Sequence, residues 1–106
     1  YMNTKKTNKY YIRIEATQVE SEKLKVVEGK PVLIADWLDT FIYWDEKIRI
    51  WAVTELKTGT WIAVSMTTQK KAVEKAKEVL KLIGKEKALA NIEQMIIEKG
   101  ELLKIT

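Results

Sequence analysis

The period of the apolar residues changes once, at Thr67-Thr68, and this change constrains the fold more than any other feature. Before it, apolar residues alternate along 48–56 and again along 61–66, which is typical of half-buried β-strands. Thr68 offers a side-chain oxygen for a helix N-cap. Beyond the cap, apolar residues follow at helical spacing: Ala72, Val73, Ala76, Val79, Leu80 and Ile83. The stretch 47–83 therefore predicts two strands and a helix.

The turn between these two strands contains Gly59, which can adopt the positive φ that a tight turn requires. A two-residue turn at Thr58-Gly59 would place Trp51 opposite Met66 and Val53 opposite Val64. In this register one sheet face carries Trp51, Val53, Ile62, Val64 and Met66, and the other carries Ile48, Ile50, Ala52, Leu56, Trp61 and Ala63. Both faces are apolar, so one must pack on the helices, and the other is either covered by another part of the chain or available to a partner.

Further strands are predicted before this stretch. They span 10–16, 24–28, 32–35 and 40–44, with Glu28-Gly29-Lys30-Pro31 as a turn and Asp45-Glu46 as a two-residue hairpin turn. A second helix is predicted over 85–99, with Ala88, Leu89, Ile92, Met95 and Ile96 as its apolar stripe.

The order of these elements predicts an α+β fold. We expect an antiparallel sheet of four to six strands, followed by two C-terminal helices packed on one face. Residues 1–9 are basic and poor in apolar side chains, so we expect a flexible arm there and a single α+β domain over 10–106.

Composition narrows the chemistry. The chain has no cysteine and no histidine, which removes thiol chemistry, thiolate metal sites and the commonest general base. No apolar run reaches the roughly 20 residues of a membrane span, and no secretory signal is evident. We therefore expect a cytoplasmic protein, not bound to a membrane, that is not an enzyme and uses no cofactor or metal.

One pattern does suggest an enzyme. Glu55-Leu56-Lys57 places a carboxylate, a spacer and a lysine on a strand, as some metal-dependent nucleases do to hold Mg²⁺. Asp36 on a neighbouring strand would have to lie opposite Glu55 to complete such a site. Because 32% of the residues are charged, a Glu-x-Lys triplet also arises by chance, and we place the nuclease third among the functions.

Two sets of side chains are candidates for binding a macromolecule. Trp44, Trp51 and Arg49 share one predicted sheet face, where aromatic rings beside cations can stack bases or anchor a protein partner. Lys70, Lys77 and Lys81 form a stripe on the first helix that can follow a phosphate backbone. The net charge of +4 is compatible with an anionic partner. The other interpretation is that most aromatic rings are core and that the lysines are only a solvated face.

The segment WAVTELKTGTWIAVSMTTQKKAVEKAKEVL resembles a strand–turn–strand–Thr–helix unit of small phage- and mobile-element-encoded proteins. It is also similar to the second half of a double-stranded-RNA-binding domain, whose last helix carries Lys-Lys-x-Ala, matched here by Lys70, Lys71 and Ala72. A similar unit occurs in HicB-type antitoxins. The first helix of the RNA-binding domain and the Pro-containing turn of HicB are both missing here.

These resemblances imply a non-catalytic protein of phage or mobile-element type that occludes a partner protein, as an anti-CRISPR inhibitor does. The alternative is nucleic-acid binding, through the Lys-rich helix face or the aromatic sheet face. The two apolar sheet faces also make a homodimer plausible.

Overall fold

The computed structural model describes residues 7–14 and 23–102. This part of the chain forms five strands and two helices: β1 (Asn8–Ile14), β2 (Lys23–Ala35), β3 (Leu38–Asp45), β4 (Ile50–Glu55), β5 (Trp61–Ser65), α1 (Gln69–Ile83) and α2 (Lys85–Lys99). The strands lie side by side in chain order, and each is antiparallel to the next. The predicted α+β class, an antiparallel sheet followed by two packed helices, is confirmed. Most of the predicted basic arm lies outside the described residues, and its last two residues, Asn8 and Lys9, belong to β1.

The turn predicted at residues 28–31 is wrong, because β2 runs unbroken through it. Gly29 is needed for a close approach of two strands: a Cβ there would lie 2.5 Å from the carbonyl oxygen of Ile42 in β3. Pro31 lies beyond the last described β1–β2 pair, Asn8 with Gly29, and is paired with Phe41 of β3. Gly29 thus marks a crowded part of a continuous strand.

The sheet curls until its first strand meets the turn between its last two. In a flat sheet, β1 and β5 would lie about 19 Å apart at the usual strand spacing. Here the backbone N–H of Arg13 in β1 donates to the carbonyl oxygen of Gly59 at 3.1 Å. The curl buries the concave face, which we call the inner face: Tyr10, Ile12, Phe41, Tyr43, Ile50 and Ala52. Tyr10 stacks on Phe41 with ring centroids 4.0 Å apart. The inner face therefore has a core of its own, without a helix over it.

The helices cover the opposite, convex face. Ala72 and Ala76 of α1 pack on Ile42 and Val53, and Leu80 packs with Leu38 and Ala88. The predicted N-cap is confirmed, since Thr68 Oγ1 accepts from the Lys71 backbone N–H at 3.1 Å. Gly84, with φ of 88°, separates the two helices.

The β4–β5 register differs from the predicted one. Trp51 pairs with Ser65, and a bulge shifts the register between Val53 and Thr54. The connection is also longer than two residues, because Glu55 closes a helical turn by accepting from the Gly59 backbone N–H. As a result Ala63 lies with Val53 on the helix side and Val64 lies with Ala52 on the inner face, the reverse of the prediction. Ile62 shares the face of Val53, as predicted. The bulge thus places the side chains of Ala63 and Val64 in β5 on the faces opposite to those predicted.

Candidate functional site

A cleft opens on the inner face beside the β3–β4 turn, and we call it the inner cleft. Its volume is about 640 Å³, within the range of pockets that hold small ligands. It is lined by the apolar, polar and basic residues Ile12, Lys25, Lys47, Ile48, Thr60 and Trp61. Arg13 and Asp45 also line it. The cleft therefore combines an aromatic ring, aliphatic side chains and two exposed lysines with a single carboxylate among its described lining residues.

Trp61 is the aromatic wall of the inner cleft. Its side chain is 45% exposed, yet its Nε1–H donates to the hydroxyl of Tyr43 at 2.7 Å. Tyr43 is buried in the inner-face core, and this burial raises the pKa of its hydroxyl. The hydrogen bond from Trp61 lowers that pKa and the charge of Asp45 raises it, both less than burial does. The hydroxyl therefore stays protonated at neutral pH and holds the indole in a fixed orientation.

The β3–β4 turn presents the cations beside this ring. Four residues, Glu46 to Arg49, connect the strands, so the predicted two-residue turn is wrong. Asp45 Oδ1 accepts from the backbone N–H groups of Lys47 and Ile48, at 3.0 and 3.2 Å. Arg49 closes the turn with φ of 58°, a left-handed conformation that is unusual for a residue other than glycine. The carboxylate of Asp45 thus organises the turn.

Trp44 and Trp51 lie together, as predicted, but on the helix side of the sheet. They are directly paired across β3 and β4, with ring centroids 5.1 Å apart and planes tilted by 55°. Trp51 packs on the Ile42–Val53 cluster, and Trp44 Nε1 donates to Glu46 at 2.7 Å. Arg49 does not share their sheet face, because it lies in the turn and is exposed. The two rings are half-buried and belong largely to the packing of this sheet end.

The lysine stripe lies on the solvent side of α1. Lys70, Lys77 and Lys81 are exposed, whereas Ala72, Ala76 and Leu80 on the other side of the helix are buried. Exposed Glu74 and Glu78 lie between the lysines. Since α1 covers the convex face, this stripe and the inner cleft are on opposite sides of the sheet. The structure does not bring the predicted lysines and the predicted aromatic site into one surface.

The hydrogen bonds of Glu55 stabilise the fold. It pairs with Thr40 rather than with Asp36, which lies in the turn between β2 and β3. Its buried carboxylate accepts from the backbone N–H groups of Lys57 at 2.7 Å and Thr58 at 2.8 Å. Within the described residues, no group of three or more Asp or Glu side chains is placed to hold a metal ion. The Glu55 carboxylate of the Glu-x-Lys triplet therefore stabilises the β4–β5 turn.

Arg13 ties three parts of the chain together, a role the sequence did not suggest. Its Nε donates to the Thr58 carbonyl oxygen at 2.9 Å, and its Nη2 to that of Gly100 at 2.6 Å. Immediately after α2, Leu102 donates its backbone N–H to the Lys57 carbonyl oxygen at 2.8 Å. No local sequence signal could have revealed this, because the bonds join residues far apart in the chain.

A second, smaller groove of about 190 Å³ lies where α1, α2 and β5 meet, and we call it the helix groove. Its wall is mainly apolar and includes Leu38, Ile62, Leu80, Ile83, Ala88 and Ile92, with Trp61 lining it as well. Ile83 is 40% exposed, and the neighbouring Leu82 is 87% exposed. Trp61 therefore stands between two concave surfaces of different chemistry, one basic and one apolar.

No protein family, curated protein or solved structure matches this chain. The resemblance to phage-encoded proteins, RNA-binding domains and HicB antitoxins is thus neither supported nor refuted by such comparisons, and it stays a prediction. None of the helices in 7–14 and 23–102 is long and apolar enough to cross a membrane.

Proposed function

We propose that this protein is a non-catalytic binding protein that occludes the surface of a partner protein, with the helix groove and its rim as the contact surface. The observation that carries the proposal is the exposure of large apolar side chains at one corner of the molecule. Ile83 lines the groove at the end of α1 and is exposed. Leu82 and Leu89, which are next in the chain to the lining residues Ile83 and Ala88, are exposed as well. Clustered apolar side chains on a surface are a mark of interaction sites.

The geometry of this corner suits a protein partner. Gly84 joins the two helices without intervening loop residues, so Leu82, Ile83 and Leu89 are held on regular helices. A preformed apolar surface loses little conformational entropy when it binds. Aromatic side chains such as Trp61 are enriched among the residues that contribute most to the binding energy of interfaces. The protein would act as an anti-CRISPR-type inhibitor does, by covering a functional surface of its partner without catalysing a reaction.

Site-specific photo-cross-linking in the host cell tests this proposal. A photoreactive residue replaces Leu82 in one variant and Leu33 in another. Leu33 is a leucine of β2 that is 75% exposed and does not line the helix groove. We expect one discrete cross-linked product from position 82 that Ile83→Asp abolishes and Leu33→Asp preserves. The same product should form when the purified partner and the purified protein are mixed.

Two outcomes would refute the proposal. One is the absence of any product from position 82 beyond those from position 33. The other is a product of twice the mass of the chain, which would identify the surface as a homodimer interface rather than a site for a different protein.

A further inference from the structure

We propose that the inner cleft binds single-stranded nucleic acid, with one base against Trp61 and Ile48 and the neighbouring phosphates on Lys25 and Lys47. The inner cleft shares Thr60 and Trp61 with the helix groove, but its other lining residues differ, and the inference does not rest on the function proposed above. It also moves the predicted nucleic-acid site away from both places where the sequence put it, the lysine stripe of α1 and the Trp44–Trp51 face.

The charges around the cleft favour a polyanion. Lys25 of β2 and Lys47 of the β3–β4 turn are exposed cations that line the cleft. Asp45 is the one described carboxylate in the lining, and its Oδ1 is already engaged by two backbone N–H groups of the turn. Phosphate groups between Lys25 and Lys47 would therefore meet a net positive field.

The apolar wall favours an unpaired base over a phosphate alone. Trp61 is 45% and Ile48 51% exposed, so each leaves part of its side chain free for contact at the opening. A base stacked on an aromatic side chain contributes about 1–3 kcal/mol to binding, and every base has a face that can stack. Because the hydroxyl of Tyr43 holds Trp61 Nε1 at 2.7 Å, the ring is oriented before any ligand arrives.

The same features exclude a duplex as the preferred ligand. Bases inside a double helix are stacked on one another and cannot offer a face to Trp61, whereas bases of a single strand can be splayed out onto an aromatic side chain. The volume of about 640 Å³ is that of a pocket for one small ligand, and a single base with its sugar fits this scale.

Fluorescence anisotropy with labelled oligonucleotides of about 12 residues, single-stranded or folded into a duplex, tests the inference. Binding is measured at about 50 mM and about 200 mM salt. Lys25→Glu/Lys47→Glu is compared with Lys77→Glu/Lys81→Glu, which changes the net charge equally on the opposite side of the sheet. Poly-glutamate of similar length serves as a polyanion without bases.

We expect the wild type to bind the single strand at least tenfold more tightly than the duplex or poly-glutamate. The cleft variant should lose most of this affinity, and its salt slope should fall by about 1.4, since each phosphate contact on a single strand contributes about 0.7. The helix variant should change affinity less than threefold. Trp61→Ala should weaken binding about tenfold, and Trp61→Phe, which keeps a ring, should recover part of the loss.

Three results would overturn the inference: no binding at low salt, equal losses in the two charge-reversed variants, or equal affinity for the single strand and poly-glutamate. Circular dichroism and thermal unfolding establish that each variant is folded. If Trp61→Ala is not folded, the comparison of Trp61→Phe with Trp61→Leu replaces it, and equal affinity of those two variants would count against stacking. Ile83→Asp should leave nucleic-acid binding unchanged, which separates this site from the helix groove.

Discussion

Trp61 Nε1 lies 2.7 Å from the hydroxyl of Tyr43, so a half-exposed indole at the rim of the cleft is fixed by a phenol in the core. Two strands that are not neighbours in the sheet, β3 and β5, are joined by this bond. The orientation of the ring at the surface therefore depends on the packing of a buried residue.

Stability should fall in alkaline solution because of Tyr43. Burial raises the pKa of its hydroxyl above the ordinary value of 10.0, so the folded chain holds this proton more tightly than the unfolded chain does. The resulting contribution to stability is complete below pH 10.0 and is lost as the pH rises through the folded-state pKa. Urea unfolding of the wild type and of Tyr43→Phe, from about pH 8 to about pH 11, should show their stability difference narrowing. A constant difference over that range would contradict the prediction.

Replacing Arg13 should loosen the closure of the sheet. Arg13→Ala removes a charged donor from the carbonyl oxygens of Thr58, Lys99 and Gly100, and we expect a loss of about 2–3 kcal/mol in the free energy of unfolding. Arg13→Lys should recover less than half of this, because an ammonium group lacks the fork of donors. Arg49→Ala is the control, since Arg49 is an exposed arginine in a turn. Equal effects of the two alanine variants in urea unfolding would refute this role of Arg13.

Arg49 should be replaceable by glycine with a gain in stability. Its φ of 58° is strained for a residue with a Cβ but not for glycine, and the relief should exceed the added flexibility of the unfolded chain. We expect Arg49→Gly to raise the free energy of unfolding by about 0.5–1 kcal/mol and Arg49→Val to lower it. Thermal unfolding measures both, and a lower midpoint for the glycine variant would show that the turn is not strained.

Two buried threonines should respond oppositely to the same substitution. Among the described residues, Thr54 Oγ1 is buried and has no hydrogen-bond partner, whereas Thr40 Oγ1 donates to the Val32 carbonyl oxygen at 2.6 Å. Thr54→Val should therefore stabilise the protein by about 1 kcal/mol, because a methyl group replaces an unsatisfied hydroxyl. Thr40→Val should destabilise it by a similar amount. Destabilisation by Thr54→Val would indicate that its hydroxyl has a partner in solution.

The fold class could be predicted because the period of the apolar residues switches from two to about 3.6 at a threonine cap, and both patterns depend only on local spacing. The register could not, because it depends on how many residues the connections use. Asp45 and Glu55 each accept backbone N–H groups of the residues that follow, and these bonds lengthen both turns beyond two residues.

The inner cleft escaped prediction for a different reason. Its residues come from β1, β2, the β3–β4 turn and β5, and they meet only because the sheet curls. Alternation along one strand tells which side a residue takes, but not which side is concave. Trp44 and Trp51 lie on one face, as predicted, but that face is the convex one, which the helices cover.

The bond from Arg13 to Gly100 spans 87 positions of the chain. During synthesis, β1 leaves the ribosome long before Gly100 does. The bond between Arg13 and Gly100 can therefore form only late. Until Gly100 has emerged, the Arg13 side chain lacks this acceptor, although the backbone of β1 can already bond to Gly59. Contacts between residues so far apart in sequence are typical of slow folding. We therefore expect the contact between β1 and the end of α2 to form late in folding.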